Sequence, residues 1–133
     1  MRTRERIGAL ILAAGFSSRM GAFKPLLPIG SATVLEEAIT RFQEAGIAAV
    51  KVVVGYEAER IIPILERAGI EWVLNDQYER GMLSSVLAGV KALDPGLEAF
   101  FVLPADTPLV KPRTIATVLE AYRSGEARVV YPC

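Results

Sequence analysis

Ile7-Gly8-Ala9-Leu10-Ile11-Leu12-Ala13-Ala14-Gly15-Phe16-Ser17-Ser18-Arg19-Met20-Gly21-Ala22-Phe23-Lys24-Pro25 begins as an unbroken apolar run and turns abruptly into a loop of glycine, serine and two cations. An apolar run of strand length without alternation is the pattern of a strand buried on both faces, as in a parallel sheet. Working outward, similar β-rich runs occur at Ala49–Val54, 70–74, 99–103 and 128–131. Stretches with helical spacing lie between them. Alternation of this kind specifies βαβ units, a mostly parallel sheet and right-handed crossovers. Such sheets bind ligands just beyond the carboxyl ends of their strands, which is where the loop after Ala14 begins.

The intervening helices carry their own punctuation. Val34, Leu35, Ala38, Ile39 and Phe42 mark one apolar face, Thr33 with Glu36 forms a capping box, and Gly46 supplies a stop. A second helix is expected over about residues 57–68, weakened or begun late by Pro63. Val86, Leu87, Val90 and Leu93 mark a third, closed by the Asp94-Pro95-Gly96 turn. Ile115, Val118, Leu119 and Tyr122 mark a fourth, with Pro112 in its first turn.

Composition narrows the chemistry. At 133 residues, 52% hydrophobic and 23% charged, the chain fits one globular domain spanning 1–133. Fifteen basic and fifteen acidic residues balance, so no global charge advertises nucleic acid or membrane. Residues 1–30 nevertheless hold five basic side chains and one acidic. Arg2, Arg4 and Arg6 precede the first strand and belong to its far end, leaving Arg19 and Lys24 to meet an anion at its tip. The absence of histidine removes Ser-His-Asp and Cys-His catalysis and every histidine-bearing zinc site. The single cysteine, Cys133, allows no internal disulfide, which points to a reducing, cytoplasmic setting. The basic start followed by an apolar run also resembles a secretory signal, but Glu5 interrupts it and no disulfide framework follows. The sequence stops on an apolar strand with no covering element, which suggests part of a longer protein.

In the loop, the small residues Ala13, Ala14 and Gly15 let the backbone approach a ligand closely. Gly15, Ser17, Ser18 and Gly21 allow consecutive N–H groups to form a nest for phosphate oxygens. Arg19 can fork onto two such oxygens and Lys24 adds a point charge. A surface loop with two idle cations is the alternative. Neither G-x-x-x-x-G-K-[ST] nor G-x-G-x-x-G is present.

The segment 12–24 resembles the L-A-A-G-x-x-x-R-M-G-x-x-K signature of the MobA-like NTP transferases, and within them is most similar to the molybdenum cofactor cytidylyltransferases. The resemblance implies a Rossmann-like three-layer α/β/α fold of the nucleotide-diphospho-sugar transferase type. It implies that the main chain of Leu12, Ala13, Ala14 and Gly15 wraps a triphosphate, with Arg19 and Lys24 on its phosphates. Ala14, where GTP-using members tend to carry glycine, favours CTP as the substrate. Phe23 departs from the polar or acidic residue that many relatives place before the lysine.

Two further segments fit the same scheme. Asn75-Asp76-Gln77-Tyr78-Glu79-Arg80-Gly81-Met82-Leu83-Ser84-Ser85 is similar to a family segment that helps hold base and ribose, implying roles for Asn75, Gly81, Ser84 and Ser85. Helix capping by Ser84 or Ser85 is the plainer alternative. Pro104-Ala105-Asp106-Thr107-Pro108 follows an apolar strand and places one carboxylate at its carboxyl tip. Mg²⁺ commonly takes one or two carboxylates and completes its shell with phosphates and water. The family's D-x-P aspartate binds metal, which assigns Mg²⁺ to Asp106; a simple Asx turn is the alternative. Relatives continue past the position of Cys133 with elements that help bind the acceptor and offer a second metal carboxylate.

The expected reaction is CMP transfer from CTP to a phosphorylated small-molecule acceptor, molybdopterin by resemblance, with release of pyrophosphate. Arg19, Lys24 and Asp106 carry it. A sugar- or alditol-phosphate nucleotidyltransferase is a second reading. A non-catalytic nucleotide- or cofactor-binding module that hands molybdopterin to a partner molybdoenzyme is a third.

Overall fold

The computed structural model describes residues 7–14, 28–29, 32–47, 49–97, 99–105 and 112–123. Along the chain these form β1 (Ile7–Ala13), β2 (Pro28–Ile29), β3 (Ala32–Thr33), α1 (Val34–Glu44), β4 (Ala49–Val54) and α2 (Ala58–Ala68). They continue as β5 (Glu71–Leu74), a single 3₁₀ turn (Tyr78–Arg80), α3 (Met82–Ala92), β6 (Ala99–Pro104) and α4 (Pro112–Arg123). The expected strand at 128–131 and the loop at 15–27 lie outside the described residues.

Every residue of β1 is buried, as an apolar run without alternation requires. It pairs in parallel with β4 on one side and β6 on the other, and β4 pairs in parallel with β5. The resulting sheet has the order β5-β4-β1-β6. β2 and β3 form a separate antiparallel hairpin that the sequence reading did not anticipate.

The alternation of β1 divides the core into two layers. Ile7, Ala9, Ile11 and Ala13 face α1, α2 and α4, joining Leu35, Ile39, Phe42, Ile61, Leu65 and Ile115 in the larger cluster. Phe42 of α1 meets Phe101 of β6 edge to face, with ring centroids 5.5 Å apart. Leu10, Leu12 and Ala14 face the opposite way, with Val53, toward α3. Helices on both faces of a parallel sheet make the α/β/α sandwich expected.

The helix boundaries follow local chemistry with two corrections. α1 begins with the full capping box: Thr33 Oγ1 accepts from Glu36 N–H at 3.1 Å, and Glu36 Oε1 accepts from Thr33 N–H at 2.9 Å. Pro63, by contrast, neither delays nor ends α2, which starts five residues earlier at Ala58 and runs through it. The proline is exposed, as is Glu59, whose carbonyl loses the helical donor that a non-proline residue at 63 would supply.

The second correction concerns α3, whose expected apolar face is not the one that packs. Its buried positions are Ser85 and Gly89, whereas Leu87 is 52% and Val90 40% exposed. A Cβ at Gly89 would lie 2.9 Å from both Leu10 methyl carbons and 3.0 Å from a Val53 methyl. The helix therefore sits down on β1 and β4 along its small residues. Val86 and Leu93 reach the core only from the flank. Lys51 reaches from β4 to the end of this helix, donating to the Ala92 carbonyl at 2.6 Å with Glu71 Oε1 3.3 Å away.

Candidate functional site

The sheet order fixes where a crevice opens. From β1 the chain steps through α1 to β4 and through α2 to β5, always in one direction and with both helices on one face. It then crosses by α3 on the opposite face and returns to the other side of β1 as β6. Right-handed crossovers demand that change of face when the direction reverses. The reversal makes β1 and β6 a topological switch point, and a parallel sheet opens its ligand crevice at the carboxyl ends of such a pair.

The carboxyl ends are stitched together just past the strands. Ala105 N–H donates to the Leu12 carbonyl at 2.8 Å, Tyr56 N–H to the Ala14 carbonyl at 3.0 Å, and Asn75 N–H to the Val54 carbonyl at 2.7 Å. Gly55 sits among them with no room to spare. A Cβ there would fall 2.9 Å from the Asn75 carbonyl oxygen, 2.9 Å from Tyr78 Cβ and 3.0 Å from Ala14 Cβ. Tyr56 and Tyr78 close this corner edge to face, their ring centroids 6.1 Å apart.

Asn75 is the polar centre of the arrangement and is 5% exposed. Its Nδ2 donates to Ser84 Oγ and to Ser85 Oγ, each at 3.0 Å. Its Oδ1 accepts the Gln77 N–H at 3.0 Å. Ser84 Oγ in turn lies within donating distance of the Gly81 carbonyl, 2.7 Å, and the Gln77 carbonyl, 3.1 Å. Gly81 has φ +103°, a conformation open to glycine and strained for other residues.

The structure thus brings Leu12, Ala13 and Ala14 to the carboxyl end of β1, all three buried, beside the carboxyl end of β6. It joins Asn75, Ser84 and Ser85 directly, with Gly81 bonded to Ser84. Gly15, Arg19, Lys24 and Asp106 lie outside the described residues. The strand β1 that precedes residues 15–27 in sequence and the strand β6 that precedes residues 106–111 are neighbours at the switch point. Sequence reasoning missed Gly55, Tyr56 and Tyr78. A glycine directly after the Val52-Val53-Val54 run was the available sign for the first.

Among the described residues no three histidine, cysteine, aspartate or glutamate side chains gather into a metal-binding group. No described helix is long and apolar enough to cross a membrane.

Comparison with known proteins fits this geometry. The model of the MobA-like NTP transferase domain matches residues 9–133. The bifunctional protein GlmU of Gloeobacter violaceus is 34% identical over 128 residues, covering 92% of this chain and 27% of that protein. A 2-aminoethylphosphonate cytidylyltransferase of Lancefieldella rimae is 34% identical over 109 residues, covering 77% of this chain and 44% of that one. The chain therefore spans between about a quarter and under half of the length of these curated relatives. Among solved structures, a nucleotidyl transferase from Methanothermobacter thermautotroptrophicus superposes with a TM-score of 0.77 at 29% identity, covering 86% of this chain and 57% of that one.

Proposed function

The chain belongs to the MobA-like NTP transferase family, and from that premise we propose that it transfers CMP from CTP to a small molecule bearing a phosphate or phosphonate. The observation that carries the proposal is the switch point. β1, which ends with Leu12 and Ala13 and is followed in sequence by Ala14 and Gly15, lies beside β6, which is followed by Ala105 and Asp106. This neighbourhood of strand ends supports a reading in which the loop after β1 binds phosphate and the carboxylate after β6 binds metal at one crevice.

In the reaction, an ionised oxygen of the acceptor attacks the α-phosphorus of CTP. The bond from that phosphorus to the bridging oxygen breaks, and pyrophosphate departs with the electron pair. The attacking oxygen is already ionised, so no protein base is required, in keeping with a chain that has no histidine. The protein's share is positioning and charge. The main chain of residues 12–15 cradles the phosphates, Arg19 forks onto them, Lys24 adds a point charge, and the connection from Asn75 to Ser85 borders the nucleoside. Asp106 would hold a Mg²⁺ ion, a donor set suited to a metal that takes few carboxylates and fills its shell with phosphate and water. When bound, the ion supplies positive charge against the triphosphate.

CTP is supported by Ala14 and by the relative that bears the name of a cytidylyltransferase. For the acceptor, molybdopterin follows from the loop's resemblance. A sugar or alditol phosphate is the second reading, and a phosphonate is suggested by that relative's name. A screen of molybdopterin, sugar phosphates, alditol phosphates and 2-aminoethylphosphonate, read by pyrophosphate release from CTP with Mg²⁺, separates them. Lys24→Ala and Asp106→Ala are each expected to lower turnover by ~10²–10³, the range for losing one preorganised charge contact. Rates within a few-fold of wild type for both variants would remove the site.

A further inference from the structure

We infer that Asn75 is a positioning residue: its carboxamide locks the connection 77–85 to the carboxyl edge of the sheet, so that the nucleoside meets main-chain groups of that connection and not the Asn75 side chain. The inference rests on the nucleotide-binding reading above and assigns which atoms of that site are available.

A carboxamide offers two N–H donors and one oxygen that can accept two bonds. Both donors are occupied, by Ser84 Oγ and Ser85 Oγ, and the oxygen holds Gln77 N–H. At 5% exposure the group is also withdrawn from solvent. Ser84 cannot read a ligand freely either. Its oxygen accepts from Asn75, and its single proton has the Gly81 carbonyl at 2.7 Å. The N-cap of α3 is Gly81, which has no side chain, and the helix begins with no side-chain cap; Ser84 and Ser85 lie inside its first turns and not at the cap the sequence alternative gave them. Among the described residues, no side chain caps the first-turn amides of Met82 and Leu83.

The lock is rigid because its anchor is backbone. Asn75 N–H continues the β4–β5 ladder on the Val54 carbonyl, and Gly55 admits the Asn75 carbonyl so closely that no Cβ fits. Gly81 is held from both sides, its N–H on the Tyr78 carbonyl at 3.1 Å and its carbonyl on Ser84 Oγ. One carboxamide thus ties the end of β5, the 3₁₀ turn and the start of α3 into one frame.

The test uses the full chain as wild type, Asn75→Ala, Asn75→Asp, Ser84→Ala/Ser85→Ala, and the triple variant of all three residues to alanine. Amide hydrogen exchange is read at residues 81–84 without ligand. CTP and UTP, each with Mg²⁺, are titrated by calorimetry. Asn75→Ala is expected to speed exchange there about tenfold and to weaken CTP and UTP by the same factor, also about tenfold, the worth of a lost buried hydrogen bond. The triple variant should be no worse than Asn75→Ala within about twofold, because the three side chains act as one unit. Asn75→Asp keeps the shape and removes both donors, so it should also weaken the two nucleotides equally. Unchanged exchange, losses that multiply in the triple variant, or a CTP/UTP ratio moved more than about threefold by Asn75→Asp would overturn the inference; the last would mean that the side chain reads the base. Should Asn75→Ala not fold, the serine double variant carries the same readings. Wild-type protein that binds neither nucleotide would end the functional proposal and the nucleoside half of this one, while exchange still decides the lock.

Discussion

A methyl group on Gly55 would press on the Asn75 carbonyl oxygen, Tyr78 Cβ and Ala14 Cβ, atoms that are main chain or fixed to it and cannot swing aside. Gly55→Ala is therefore expected to cost about 1–3 kcal/mol as overpacking, seen as a lower urea midpoint at unchanged slope. Gly69, which ends α2 at φ +71° in open space, isolates the backbone term. Gly69→Ala should cost about 1 kcal/mol from the left-handed conformation alone. A stability loss at Gly55 no larger than at Gly69 would contradict the crowded corner. Lys51 makes a different residue-scale case. Its ammonium caps the carboxyl end of α3 at Ala92 and is mostly buried, whereas its partner Glu71 is largely exposed. Lys51→Met should lose about 1.5–3 kcal/mol for a charged hydrogen bond, and Glu71→Gln no more than about 0.5 kcal/mol. Equal losses would place the stabilisation in the ion pair and not in the cap.

At the level of elements, what the sequence disclosed depended on how local the cause was. The Thr33–Glu36 capping box is written within four residues, and it formed as its spacing required. Thr33→Ala should destabilise by about 0.5–2 kcal/mol, measured by thermal or urea unfolding. Pro63 was readable as a penalty but not as a tolerated one, because α2 gains its stability from Ile61 and Leu65 against strands elsewhere in the chain. Pro63→Ala should raise stability by about 1–3 kcal/mol by restoring a helical donor; a loss would mean that the ring itself packs. α3 defeated periodicity outright. Its depth is set by Leu10 and Val53 meeting the bare Gly89, and nothing within residues 82–92 announces those partners. Of the four apolar residues that marked its pattern, Leu87 and Val90 face outward while Val86 and Leu93 pack at the flank.

For the molecule as a whole, the four strands of the parallel sheet were legible, because continuous apolar runs alternate with helices. The neighbour of β1 was not, since pairing across distant parts of a chain leaves no local mark. Nor did the sequence disclose that Asn75, Ser84 and Ser85 would bond to one another; it offered three polar residues and a choice of partners. At this scale the proposed function predicts a linkage. CTP with Mg²⁺ at about 100 times its dissociation constant should stabilise the fold by about 2.7 kcal/mol, read as a raised melting temperature. Excess EDTA should abolish both that rise and pyrophosphate release. A melting temperature indifferent to CTP and metal would count against nucleotide binding.

Ile7 lies opposite Ala99, so β1 is laid down early in synthesis and waits for the neighbour that completes it. During that wait β4 and β5 can join β1 on the other side, since their connections are short and arrive first. β6 emerges only after them, and the β1–β6 seam is the last strand pairing to close. A ribosome-bound chain halted before Ala99 would carry three of the four strands of the sheet and lack the β1–β6 seam, which makes the last-formed strand pairing the one at which the proposed chemistry sits.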